Sequence, residues 1–297
     1  MPRLAPIVRR TPLALLPLAG ACIVTQVRYV PAPSAYSYTT RTGGGADGAP
    51  CAPDGWARAE SAVACDLRTF VLAPDRGPLD VESPNGSIAV AGADSARAAT
   101  VAARVRAWAP TDDEARRLLA AVRVTADGNR LRADGPRGES YDRRGWAVDY
   151  TIVAPRRADV AARTGNGAVR VQRVVGRLRL ASGNGSLALD GVGGDVEGRT
   201  GNGAVQATLA GRAWDGGGLP GAGLTLSSGN GSALLRVPSD YSARLDVSAG
   251  NGALSVDFPV TVQGRIDPHR LELTLGEGGA PLRVSTGNGR ARVARAE

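Results

Sequence analysis

The sequence predicts an all-β protein, in particular a β-solenoid (parallel β-helix-like) of about 18-residue coils with one N-terminal capping helix. Three observations carry this. A tetrapeptide closing on Asn-Gly occurs seven times: Ser83-Pro84-Asn85-Gly86, Thr164-Gly165-Asn166-Gly167, Ser182-Gly183-Asn184-Gly185, Thr200-Gly201-Asn202-Gly203, Ser228-Gly229-Asn230-Gly231, Ala249-Gly250-Asn251-Gly252 and Thr286-Gly287-Asn288-Gly289. From Asn166 to Asn184 to Asn202 the step is 18 residues both times, and the later steps are 28, 21 and 37. Second, apolar residues alternate on both sides of the triplets, as in Val169 and Val171, Leu187 and Leu189, or Leu178-Arg179-Leu180 before Gly183. Period two is the mark of a half-buried strand. Third, aromatics make up only 4% of the chain while Gly numbers 40, which suits thin stacked layers better than a large aromatic core.

Each 18-residue unit thus reads as two short strands and two turns. Asn and Gly both accept positive φ, so Asn85, Asn166, Asn184, Asn202, Asn230, Asn251 and Asn288 are expected as structural turns. Two architectures satisfy the pattern. In a meander, Asn-Gly closes two-residue hairpins. In a solenoid, each unit is one coil, like positions stack about 4.8 Å apart, and the Asn amides can hydrogen-bond along the axis. The solenoid also accounts for the irregular steps, because inserted residues leave a coil as a loop without breaking register. The 28-residue step is one coil plus the ten residues Trp214 to Gly223, and the 37-residue step is close to two coils with the motif worn away near Pro268-His269. Trp214 either presents its ring to a ligand or folds back over the coil.

The chain divides into four segments. Residues 1–21 read as a signal peptide: Arg3, Arg9 and Arg10 precede an eleven-residue apolar run from Thr11 to Ala21, too short to cross a bilayer as a helix. Ala19-Gly20-Ala21-Cys22 fits an ordinary signal-peptidase site and also resembles a bacterial lipobox, with Ala19 where Leu is usual; lipidation of Cys22 is the expectation. Residues 22–50 form a lipid-anchored tether, Pro-, Ser- and Gly-rich and without periodicity. With Cys22 lipidated, Cys51 and Cys65 remain as a pair enclosing 13 residues, open to a disulfide in an oxidising envelope or left as free thiols. Such a bridge would stabilise by about 3 kcal/mol. Residues 51–154 read as atypical N-terminal coils that cover the first edge, with a helix opened by Thr111-Asp112-Asp113-Glu114 and a hairpin at Asp127-Gly128. Residues 155–297 form the repeat solenoid, ending on an Arg-rich strand, Arg290 to Arg295, read as a guarded edge.

The formal charge of +8 comes from 36 Arg and no Lys against 28 acids; without residues 1–21 it is 33 against 28, or +5. The arginines are scattered on alternate strand positions beside acids, not clustered with stacking aromatics, so nucleic acid is not an expected partner. Hydrolytic triads and zinc sites need histidine or grouped thiols, and the one histidine, His269, lies in a polar loop beside Pro268 and Arg270. Asp190 to Val196 resembles one unit of a calcium-binding nonapeptide repeat but occurs once, as a polar turn would. No metal or cofactor is expected.

Tyr150-Thr151-Ile152-Val153-Ala154-Pro155, Val160, Thr164-Gly165-Asn166-Gly167-Ala168-Val169 and Gly176-Arg177-Leu178 before the next Gly-Asn-Gly resemble the bacterial putative-adhesin β-strand-repeat family, over about residues 65–295. That family is a domain of unknown function in exported or membrane-tethered proteins. The resemblance implies a β-solenoid-like fold and an adhesin role, and brings no catalytic residues. This chain departs from the family in its uniform Gly-Asn-Gly and its Gly-rich insertion at 214–223. The expectation is a non-enzymatic cell-envelope protein, held to the membrane by an N-terminal lipid, with a repetitive β surface for a glycan or protein partner. The alternatives are a self-associating periplasmic or outer-membrane scaffold and, further off, a polysaccharide-cleaving β-helix enzyme.

Overall fold

A polar-apolar alternation on both sides of one tight corner can bury its apolar residues within one hairpin packed on another layer, or with the two strands in facing sheets. The computed structural model, which describes residues 40–43, 62–72, 77–136, 143–257 and 267–296, has the second arrangement. Cys22, Cys51 and the expected signal peptide lie outside the described residues.

The N-terminal part contains β1 (Thr40–Gly43), β2 (Ala62–Leu72), β3 (Leu79–Asn85), β4 (Ile88–Ala93) and β5 (Ala99–Ala109), then α1 (Asp112–Ala121), β6 (Arg123–Asp127), β7 (Arg130–Asp134) and β8 (Gly145–Pro155). The repeats supply β9 (Val160–Asn166), β10 (Val169–Gln172), β11 (Val175–Asn184), β12 (Leu187–Asp190), β13 (Gly193–Asn202), β14 (Val205–Thr208), β15 (Gly223–Asn230) and β16 (Ala233–Val237). After them come β17 (Ala243–Asn251), β18 (Leu254–Val256), β19 (Arg270–Leu275), β20 (Pro281–Asn288) and β21 (Ala291–Arg295). Two mixed sheets result, of eleven strands (β1-β2-β5-β8-β4-β10-β12-β14-β16-β21-β18) and ten (β19-β17-β20-β15-β13-β11-β9-β3-β7-β6).

The two strands flanking each Gly-Asn-Gly fall in different sheets, so no motif closes a hairpin. Each strand instead pairs in parallel with its counterpart in the next unit. Val169 lies opposite Leu187, Leu187 opposite Val205 and Val205 opposite Ala233; in the other sheet Leu178 lies opposite Val196, and Val196 opposite Leu224. The core is the gap between the sheets, filled by inward Val and Leu such as Val171, Leu180, Leu189 and Leu226, all at 3% exposure or less. One inward position is Gly198, where a Cβ would come within 2.7 Å of Leu226 Cδ2; its emptiness is the room that the neighbouring leucines occupy.

Layer order and chain order part company at both ends. β3 and β4 lie beside β9 and β10, while the residues between them return to form β7 and β8 on the outer side. At the other end β20 and β21 insert between β15–β16 and β17–β18. This corrects two expectations. Among the described residues the 37-residue step shows no second worn coil: it contains β19, which runs antiparallel to β17 at the edge of the ten-stranded sheet. The Arg-rich last strand, β21, is not an edge, since β16 and β18 flank it.

Thr111 caps α1 by accepting the Glu114 N–H, with Asp112, Asp113 and Glu114 in the first turn where the helix dipole favours them. Ala115 and Leu119 are buried, and the Arg68 guanidinium donates to the Val122 carbonyl at the helix C-terminus (3.0 Å). Gly128, at φ +56°, turns the chain from β6 into the antiparallel β7. Thr40–Gly43, inside the span expected as a tether, pairs antiparallel with β2; an open edge offers unpaired backbone groups to any extended segment within reach. The 214–223 insertion folds back. Trp214 packs on the core and its indole N–H donates to the Gly194 carbonyl at 2.8 Å.

Candidate functional site

The stacked corners form one continuous polar column. Six of the seven corners begin with a hydroxyl residue that points inward, and an inward hydroxyl needs a partner. Thr164, Ser182, Thr200, Ser228 and Thr286 each donate to the carbonyl of the second motif glycine in the neighbouring layer, at 2.6–2.9 Å. Ser83 instead has its hydroxyl between the carbonyls of Asn85 (2.8 Å) and Val148 (3.0 Å). All six are 5% exposed or less. The asparagines run alongside on the exposed side. Every side-chain N–H donates to the carbonyl oxygen of the next asparagine, at 2.7–2.9 Å, in the order Asn251, Asn288, Asn230, Asn202, Asn184, Asn166, Asn85. The backbone adds a third ladder: the N–H groups of Gly86, Gly167, Gly185, Gly203 and Gly231 donate to the asparagine carbonyl of the following layer.

Only glycine fits the second position. A Cβ on Gly185 would sit 2.0 Å from the Gly167 carbonyl oxygen, and Gly203 also has φ +157°. The column contains the seven asparagines expected as turns, though each is the last residue of a strand and none has positive φ, the bend falling on the glycine that follows. It also contains the six hydroxyls that sequence reasoning passed over. The signal for those was present, since six of the seven motifs open with Ser or Thr. The exception, Ala249, begins the outermost layer.

Ion pairs occur on both outer faces, among them Arg104 and Arg106 with Asp149 on the eleven-stranded sheet. On the ten-stranded sheet, stacking brings Arg beside acid. Arg179 contacts Asp195 (2.5 Å), Arg199 contacts Glu197, and Arg270 contacts Asp246 (3.0 Å). Asp80 lies within 2.7 Å of Arg132 and 3.3 Å of Arg163. Burial alone would raise the Asp80 carboxyl, but the Arg132 hydrogen bond and the charges of Arg132, Arg163 and Arg130 outweigh it and hold it below the usual carboxylate range. On the eleven-stranded sheet, Arg170 and Arg236 have no acidic partner among the described residues. Arg236 borders a groove of about 560 Å³ whose other lining includes Thr208, Leu234, Arg292 and Arg295. Arg292 is held by Asp257 (2.5 Å), whereas Arg295 pairs with no described acid. Planar guanidinium forks left unpaired at a concave surface suit bidentate contact with carboxylate, sulfate or phosphate oxygens.

No group of three His, Cys, Asp or Glu side chains able to hold a metal ion occurs among the described residues. His269 is exposed, with Nδ1 3.1 Å from the Ala249 carbonyl. Asp190 ends β12, and Gly191 turns the chain at φ +55°. Cys65 is disulfide-bonded, and its partner lies outside the described residues. Burial pushes the Tyr150 and Tyr241 hydroxyls above their ordinary value.

No protein-family model matches the chain, and no curated protein matches it. Two solved structures are similar in outline. A putative cell adhesion protein from Clostridium sporogenes ATCC 15579 has a TM-score of 0.39 at 10% identity, over 77% of this chain and 99% of the other. A putative adhesin from Bacteroides fragilis NCTC 9343 has a TM-score of 0.30 at 10% identity, over 81% and 99%. Likeness at this level carries no functional weight, so the function must be sought in the geometry of this chain.

Proposed function

We propose that this protein is a non-enzymatic cell-envelope β-solenoid that uses the outer face of its eleven-stranded sheet to contact acidic groups on a glycan or protein. The observation that supports it is the groove on the eleven-stranded sheet, where Arg236 and Arg295 stand together without acidic partners among the described residues. Parallel in-register pairing from β9 to β16, with successive strands alternating between the sheets, supports the solenoid reading. A row of like positions repeated from layer to layer gives many weak contacts in place of one tight one. Lipidation at Cys22, a bridge from Cys51 to Cys65 and a tether within residues 22–50 complete the proposal, by holding the stack off a membrane surface.

The test is binding of the full mature chain to an array of neutral and acidic glycans. Binding is expected to be confined to carboxylated or sulfated chains, to weaken with salt, and to be lost in the Arg236→Ala/Arg295→Ala double variant but kept in Arg179→Ala. Equal binding by both variants, or none to any acidic glycan, would overturn the contact face. Membrane fractionation of Cys22→Ala tests the anchor separately: the variant should leave the membrane fraction. The self-associating scaffold has one observation of its own, the outer side of β18, which has no neighbouring strand among the described residues. Concentration-dependent polymers in light scattering would favour that reading.

A further inference from the structure

The seven Asn-Gly dipeptides have the same local chemistry but not the same hydrogen bonds, and the difference singles out one of them. Asn-Gly is the dipeptide most open to deamidation, because glycine leaves its backbone nitrogen unshielded. That nitrogen, after losing its proton to water or hydroxide, attacks the asparagine side-chain carbon. The ring closes to a succinimide and ammonia leaves; one water then opens the ring to Asp or isoAsp. Two things must be free for this: the glycine N–H, and the side-chain amide, which has to rotate and place its carbon over that nitrogen.

In five motifs neither is free. The N–H groups of Gly86, Gly167, Gly185, Gly203 and Gly231 donate to the next layer. The side chains of Asn166, Asn184, Asn202 and Asn230 are held on both sides, oxygen and nitrogen. Asn85 is held through its oxygen. Asn288 is intermediate: its amide is held on both sides, while the Gly289 N–H has no acceptor among the described residues. At Asn251 no further layer continues the column among the described residues. Among those residues its oxygen receives no donor, its nitrogen holds a single bond to Asn288 at 2.9 Å, and the Gly252 N–H has no acceptor.

We infer that Asn251 is a spontaneous modification site, the one Asn-Gly of the column that converts to Asp or isoAsp in the folded protein. The product would also act on the structure. A carboxylate has no N–H to donate to the Asn288 side-chain oxygen, so the last rung is lost and two oxygens face each other at the outermost layer.

Cleavage after arginine places each of the seven Asn-Gly pairs in its own peptide, with Asn251 in residues 245–265 and Asn288 in 284–290. The folded full chain would be aged at mildly alkaline pH and each peptide assayed by mass for Asp and isoAsp. A parallel sample would be aged in denaturant. Asn251 should convert on the order of tenfold faster than the five motifs whose glycine N–H is bonded, the factor that opening one more backbone hydrogen bond imposes. Asn288 should fall between them, and in denaturant the seven should converge. Equal rates in the folded chain, or an interior asparagine ahead of Asn251, would overturn the proposal. An Asn251→Asp variant should show faster amide exchange in β17 and β18 with β13 and β14 unchanged; unchanged exchange throughout would overturn the structural consequence.

Discussion

From β9 to β16 the chain lays its layers down in the order in which they are read; at the two ends it does not. In the middle, ladder partners such as Asn184 and Asn202 are 18 residues apart, whereas Asn166 bonds to Asn85 across 81 residues and Asn288 to Asn230 across 58. An 18-residue step leaves no slack, so the next unit can only land on the last. A longer connection lets the chain skip a place and fill it later. Because every corner carries nearly the same Ser/Thr-Gly-Asn-Gly sequence, any layer can stack on any other. Identity of neighbour is then settled by connection length and by what can close an end. The ends are closed by non-repeating elements: α1 with the β6–β7 hairpin on one side, and β19, bearing exposed Arg270 and Glu272, on the other.

The comparison can be broken most sharply with glycine. Gly185→Ala and Gly252→Ala drive a Cβ to 2.0 and 1.9 Å from a carbonyl oxygen of the adjoining layer. Gly185 is clamped on both sides, so its substitution should cost at least the upper end of the roughly 1–3 kcal/mol seen for overpacking. Among the described residues Gly252 has a neighbour on one side only and can move away, so its cost should be clearly smaller. Denaturant titration of the two variants decides it, and equal losses would mean that the outer layer is as rigid as the middle. Next in size is Thr200→Val, which keeps the shape and strips the hydroxyl from the Gly185 carbonyl. The expected loss is about 1–3 kcal/mol, the cost of a buried group left unpaired. The end layer offers the mirror test. Ala249→Ser restores the missing hydroxyl beside the Gly289 carbonyl and should stabilise by up to about 1 kcal/mol.

The same contrast decides how much of the fold was legible in the sequence. The all-β class, the strand positions and the corners could be read because period-two burial and a glycine-dependent turn are local properties, visible in Val169 to Val171 or Gly183 to Gly185. The N-cap at Thr111 is equally local. The insertion of β20 and β21 was not legible, since Thr286-Gly287-Asn288-Gly289 is as good a neighbour for Asn230 as Ala249-Gly250-Asn251-Gly252. Nor could the residues of 214–223 reveal that Trp214 turns inward, because its partner is the backbone carbonyl of Gly194, twenty residues back. The buried hydroxyls were visible as letters but not as donors: a Ser or Thr beside a turn is ordinarily solvated, and only stacking makes its partner.

The smallest expected effect lies at the N-terminal end, where Asp80 joins β3 to its neighbours β7 and β9 through Arg132 and Arg163. Its carboxyl is lowered in the folded chain. A lowered acid contributes stability that is complete above the ordinary carboxylate value and is lost as pH falls through the folded one. Stability should therefore decline as pH drops below about 4. Asp80→Asn should remove part of that decline while leaving the neutral-pH slope unchanged. Asp195→Asn, on an exposed pair in the middle of the stack, should change neither, since exposed pairs are worth little. Urea titrations across the acid range, with amide exchange to localise the loss, would show whether β6 and β7 detach first. Detachment there before any loss in β11 to β14 would mean that the non-repeating cap, held by charge, yields before layers held by their corners.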